Sequence, residues 1–109
     1  MYEKKTYEEI MRNNSELKEI NIDNTHLIIH SFSGEIFRKM KSGFWKKIEN
    51  KCNHNKGYNV ILINKKQYTR AKLILYAQDK IKLSDKNVNI YHKNNDRLDC
   101  CMNNLIINH

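Results

Sequence analysis

An α+β fold, with small antiparallel sheets or hairpins around one principal helix, is what this sequence predicts. Three observations point to it. Short runs rich in β-branched residues, among them His26-Leu27-Ile28-Ile29-His30 and Tyr58-Asn59-Val60-Ile61-Leu62-Ile63, are bounded by turn residues, as strands are. A single window, from Thr69 to about Asp79, places Leu73, Ile74, Ala77 and Ile81 at helical spacing. The chain has 109 residues with no proline and three glycines. It shows no internal repeat and no Pro/Gly-rich linker, so a single modest core is what this length supports.

In chain order, Thr6 is a candidate N-cap with Glu9 at the capping-box position, opening a short helix that runs to about Asn14. A second helical turn is expected over Ser15 to Glu19. The strand at 26–30 meets the turn Ser33-Gly34, and Glu35 to Met40 alternates polar and apolar, which makes a hairpin. Ser42-Gly43 turns the chain into Phe44-Trp45-Lys46-Lys47-Ile48. A polar loop ends at Gly57, and the strand at 58–63 turns at Asn64-Lys65-Lys66 into Gln67-Tyr68. Thr69 is a candidate cap for the principal helix. Val88 to Tyr91 reads as a short strand, the loop from His92 follows, and Leu105-Ile106-Ile107 closes the chain.

The formal net charge is +8 with a pI near 9.4, which favours an anionic partner such as nucleic acid or a membrane surface. The charge is uneven: residues 1–24 are net acidic by two, residues 25–86 carry fourteen Lys/Arg against four acids, and residues 87–109 balance. The organisation expected is therefore an acidic accessory segment over 1–24, a candidate protein-partner or second-protomer surface, followed by a basic domain over 25–109. Lys, Asn and Ile are abundant, so coding bias is a competing account of the lysines. Phe37, Phe44, Trp45, Tyr58 and Tyr68 interleave with the cations, a pattern that suits phosphate contact with stacking and equally suits an ordinary core. No run approaches the roughly 18 apolar residues that span a bilayer, and the charged N-terminus lacks the apolar region of a signal peptide. Cys52, Cys100 and Cys101 are an odd set with an adjacent pair, a poor disulfide framework. An intracellular setting is expected. Zinc would need better spacing than Cys52-Asn53-His54 with Cys100-Cys101 offers, and the paired cysteines read as small core fillers.

The tail Asn89-Ile90-Tyr91-His92-Lys93-Asn94-Asn95-Asp96-Arg97-Leu98-Asp99-Cys100-Cys101-Met102-Asn103-Asn104-Leu105 resembles the HNH homing-endonuclease pattern. Its usual form is close to N-H-x-D-G-N-x-x-[ND]-N-R-x-x-N-L followed by a strand. His92, Asp99 and Asn104-Leu105 fall at matching spacing. Upstream, Phe32-Ser33-Gly34-Glu35-Ile36 is similar to the hairpin that often precedes such modules, Gly57-Tyr58-Asn59-Val60 to their GYxxVxL strand, and Lys72-Leu73-Ile74 with Ala77 to their HRLVxxA helix. Together these cover roughly residues 30–109.

The resemblance implies a ββ element of the ββα-metal superfamily at the C-terminal end. It also implies a histidine general base, His92, that activates water beside a divalent ion, magnesium or manganese. The departures imply a degenerate site. Tyr91 stands where Asn or Asp is usual, Ala71 where the helix often carries His, and Cys101 where Arg is common. The chain stops at His109, where the metal-binding helix would begin. Asp96 and Asp99 are the residues left to hold a metal, and their competing reading is loop capping.

The function expected is thus a DNA-binding module without efficient nuclease activity. Lys39, Lys41, Lys46, Lys47, Lys65, Lys66, Arg70 and Lys72 would contact phosphates, and the first hairpin or the Thr69 helix would enter a groove. The alternatives are a working metal-dependent endonuclease with His92 as base, and an interaction or virion-associated protein that reuses the fold. The resemblance implies a viral source, acting in the cytoplasm or nucleus of a host cell or carried in the virion.

Overall fold

The structure, a computed structural model, describes residues 4–12, 17–85 and 88–108, with Lys4 and Lys5 described by their backbone alone. The elements run β1 (Lys4–Lys5), α1 (Tyr7–Met11), β2 (Leu17–Ile22), β3 (Thr25–His30), β4 (Glu35–Lys39), β5 (Trp45–Lys47), β6 (Val60–Ile63), β7 (Lys66–Thr69), α2 (Arg70–Ala77), β8 (Asn89–His92) and β9 (Leu105–Asn108). Five strands form one antiparallel sheet in the order β1-β5-β4-β3-β2, while β6–β7 and β8–β9 are separate hairpins. The α+β class with one principal helix is what the sequence predicts.

The sheet is buried on both faces, and the strand period explains how. Side chains alternate across a strand, so in β3 Leu27 and Ile29 point one way and Ile28 the other, all three fully buried. Ile28 joins Phe37, Trp45, Leu17 and Ile10 of α1 in a small cluster. Leu27 and Ile29 join Ile22 and Ile36 in a larger one with α2, with Ile61 and Ile63 of β6, and with Cys100 and Leu105. In α2, Arg70, Ala71, Leu73, Ile74, Leu75 and Ala77 are buried, so the helix is enclosed nearly all round, as a central helix is. Thr69 ends β7 and also caps α2, its hydroxyl accepting from the Lys72 N–H at 3.2 Å.

Two turns are tight hairpin turns of the same kind. Asp23 and Asn24 have φ of 48° and 67°, and Asn64 and Lys65 have 48° and 69°. Two successive left-handed residues match the twist of the flanking strands. Gly34, at φ 78°, lets the β3–β4 turn lie against the 100–101 backbone, where an added Cβ would sit 3.3 Å from the Cys100 carbonyl carbon.

Two expectations fail here. Of the helical turn expected over Ser15 to Glu19, Ser15 and Glu16 lie outside the described residues, and Leu17–Ile22 is a strand. The Asp23-Asn24 turn folds it back on β3 in full register, Leu17 opposite His30 through Ile22 opposite Thr25. The boundary expected at residue 24 is not a boundary in the fold either, because β1, α1 and β2 complete the central sheet and its smaller cluster.

Candidate nucleic-acid interface and the His92 loop

A broad groove of roughly 1200 Å³ runs between strands β4 and β5 of the sheet and β6. Cross-strand register sets Arg38 opposite Lys46 at its wall. Arg38, Lys39, Lys41, Lys46, Lys47 and Lys51 all line it. The arrangement places Arg38 and Lys46 directly across from each other, which by itself destabilises a strand pair. Two acids face the same space and each is paired. Glu35 bridges Lys47 at 2.8 Å and Glu49 lies 3.9 Å from Lys51. The Lys47 ammonium holds the Glu35 carboxyl below its usual value, against the opposing effect of burial. The groove remains strongly cationic, and among the described residues no aromatic ring lines it.

The eight cations expected to meet phosphates therefore divide. Lys39, Lys41, Lys46 and Lys47 come together in this groove. Lys65 and Lys66 stand exposed at the tip of the β6–β7 hairpin. Lys72, half-buried on the first turn of α2, lines a second cleft beside His92. Arg38 and Lys51 belong to the groove and are absent from the sequence expectation, because strand register places Arg38 there and the packing of the loop after β5 places Lys51.

Arg70 is a correction. It is 1% exposed, and its guanidinium is used inside the protein. Nε donates to Asn59 Oδ1 at 2.9 Å, Nη1 to Gly34 O at 2.6 Å and Nη2 to Ile48 O at 2.7 Å. A phosphate contact from this residue would require breaking those bonds. Burial pushes its pKa down to about 10, so it stays protonated at neutral pH. Among the described residues no carboxylate bonds to it; three oxygens spread over three segments do, which is how a buried cation is tolerated. Arg70 heads α2, and spacing alone marks that position as a helix surface.

The second cleft, of roughly 730 Å³, is lined by Tyr58, Thr69, Lys72, His92, Asn95 and Arg97, with Ala71 and β8. His92 ends β8 opposite Leu105 and is 9% exposed. Burial lowers its pKa, opposed by Asp96 and Asp99 and reinforced by Arg97. The imidazole is therefore neutral at neutral pH. Its Nε2 lies 3.8 Å from Cys100 Sγ, and burial raises that thiol to about 11. Arg97 stacks over Tyr58 at 5.1 Å from the ring centroid and donates to the Lys56 carbonyl, tying two loops together.

Asp96 and Asp99 act as loop caps. Asp96 Oδ1 accepts from the Leu98 N–H at 3.0 Å. Asp99 accepts from Asn94 Nδ2 at 2.7 Å and from the Cys101 N–H at 3.3 Å. Hydrogen bonds from Cys101 and Asn94 hold its carboxyl below the ordinary aspartate value. Asn104 completes the network, donating to Asn94 Oδ1 at 2.9 Å and to the Asp99 carbonyl at 2.7 Å. For a magnesium or manganese ion beside His92 the donor set does not fit. Asp96 and Asp99 are engaged by the loop, and among the described residues no three His, Cys, Asp or Glu side chains converge. No helix among the described residues is long and apolar enough to cross a membrane.

No family model matches the chain, no curated protein matches it, and no solved structure matches it.

Proposed function

We propose that the chain is a DNA-binding module, related to the HNH homing endonucleases, that holds its target without cutting it efficiently. The observation that carries the proposal is the groove beside β4 and β5. Six cations that are not buried line it against two acids, each already paired. A surface of this kind attracts a polyanion through counterion release and long-range field. Coding bias explains many lysines, but it does not explain their gathering along one groove.

The resemblance adds a second line of support. His92 and Leu105 are directly paired at the ends of two antiparallel strands. Asn95, at the place where the pattern carries glycine, has a left-handed φ of 61°. Ala71, where the pattern's helix often carries His, lines the same cleft as His92. The engaged state of Asp96 and Asp99 supports the reading that cutting is weak.

The test is gel retardation with plasmid and linear duplex across a salt series, with magnesium or manganese present and nicking followed on the same gel. Retardation whose log affinity falls with log salt at a slope of about −4 to −5, as expected for roughly five neutralised phosphates, supports the module. Nicking that disappears in His92→Ala overturns the second half of the proposal. No retardation at low salt overturns the first half and leaves the interaction-protein reading.

A further inference from the structure

We propose that the outward face of the β6–β7 ribbon reads A·T base pairs in the DNA major groove, with Gln67 and Leu62 as the reading side chains. The inference rests on the DNA-binding reading and adds to it the element that enters the groove and the pair it prefers.

The ribbon has two unlike faces. Ile61 and Ile63 are 4% and 0% exposed and anchor its inner face in the main core. On the outer face Leu62 is 56% exposed, a large aliphatic group in the wall of a cationic groove. Its direct cross-strand partner is Gln67, also exposed. Among the described residues no hydrogen bond engages the Gln67 amide. Directly opposed side chains stand about 5 Å apart at Cβ, so one amide and one aliphatic group are presented side by side.

That pair of chemistries matches one base pair. In the major groove adenine offers N7 as acceptor and N6–H as donor, which a glutamine amide meets with Nε2 and Oε1 together. Thymine offers a methyl group, which takes an apolar contact. Guanine offers two acceptors, N7 and O6, so the Gln67 carbonyl oxygen would meet no donor there. Two strands about 4.8 Å apart fit a groove about 12 Å wide.

The ribbon is also held in place. Asn64 Nδ2 donates to the Asp23 carbonyl at 2.8 Å, and Arg38 Nη1 donates to the Leu62 carbonyl at 2.9 Å. Its tip carries Lys65 and Lys66, exposed and placed to meet the flanking phosphates. Of the β6 residues lining the groove, Val60, Ile61 and Leu62, Leu62 is the exposed one.

The experiment is fluorescence anisotropy of the full chain, at moderate salt, with labelled duplexes of equal length. One is alternating A·T, one alternating G·C, one has deoxyuridine for thymidine, and one has 7-deazaadenine for adenine. The A·T duplex is expected to bind about tenfold more tightly than G·C, with both modified duplexes weakened. Leu62→Ala is expected to make thymidine and deoxyuridine equivalent, and Gln67→Ala to make adenine and 7-deazaadenine equivalent. The modified bases alter the major-groove edge, so a preference arising from minor-groove width does not mimic the result. Both side chains are exposed, and Trp45 fluorescence verifies that the variants fold. Equal binding of A·T and G·C duplexes overturns the base-reading ribbon and leaves the DNA-binding reading standing, as does a preference that survives in both variants. Failure to bind any duplex overturns both.

Discussion

Arg70→Ala removes a side chain that is 1% exposed and donates to Asn59 Oδ1, Gly34 O and Ile48 O. Two of those acceptors are backbone carbonyls, one in the β3–β4 turn and one just after β5, and the third is a buried amide. Each loses its partner, at about 1–3 kcal/mol for a buried group left unpaired. Water reaching the space and release from the cost of burying the guanidinium offset part of that sum. The net loss expected is about 3 kcal/mol, a large share of the roughly 5–15 kcal/mol that holds a domain folded. Arg70→Lys keeps the charge but lacks the planar fork that spans three acceptors, so it should recover little. Urea unfolding followed through Trp45, the sole tryptophan and 2% exposed, measures both variants. A loss under about 1 kcal/mol refutes the staple, since it falls below the cost of one buried unpaired group. Full stability with lost DNA affinity would return Arg70 to the phosphate-binding set.

Three further outcomes are expected. His92 has a folded pKa below its unfolded value of 6.5, so the unfolded chain takes up its proton first. Stability from this group is complete above pH 6.5 and declines as pH falls toward the folded pKa. Thermal midpoints between pH 7.5 and pH 5 should drop more in the wild type than in His92→Gln, and parallel profiles would contradict this; the pH limits are roughly those that bracket histidine titration. Asn104→Ala removes two donated bonds and one accepted from the Asn94 N–H. It should lose about 2 kcal/mol in urea unfolding, with faster hydrogen exchange at the Asn94 amide. Replacing Lys39 and Lys41 together by Gln should make the salt slope of DNA binding shallower by about 1.8, about 0.9 for each phosphate no longer neutralised. An unchanged slope in anisotropy titrations would place the DNA elsewhere.

The legible parts of the sequence are those governed by neighbours along the chain. Thr69 and the spacing of Leu73, Ile74 and Ala77 define α2 to within about two residues, because capping and helical period are local. The hairpins at Ser33-Gly34 and Asn64-Lys65 follow from turn chemistry in the same way. The loop-capping reading of Asp96 and Asp99 is likewise available from their spacing to nearby N–H groups. Leu17–Ile22 is not legible in this way, because its apolar residues fit a short helix about as well as a strand. The partner that decides between them, β3, lies beyond the Asp23-Asn24 turn, and that dipeptide is the one local signal for the hairpin. Arg70 reads as a surface cation because enclosure of a helix on all sides is a tertiary fact. The groove is half visible: the cations can be counted, but Arg38 reaches it through strand order and Lys51 through the folding of the loop after β5.

Three consecutive residues of β3, Leu27, Ile28 and Ile29, are each fully buried, and this has a consequence for how the strands find alignment. In a sheet with one wet face, slipping by one residue would turn apolar groups outward, and that penalty polices the pairing. Here a slip of β3 exchanges Leu27 and Ile29 for Ile28 and one flanking histidine, so the core punishes it at one position and not at every one. Alignment of β2 with β3 is then delegated to the Asp23-Asn24 bend, whose two left-handed residues admit only one pairing. Conservative swaps among the three core residues should be forgiven. A β-branched residue at either bend position should instead yield misaligned chains that associate through their unpaired edges.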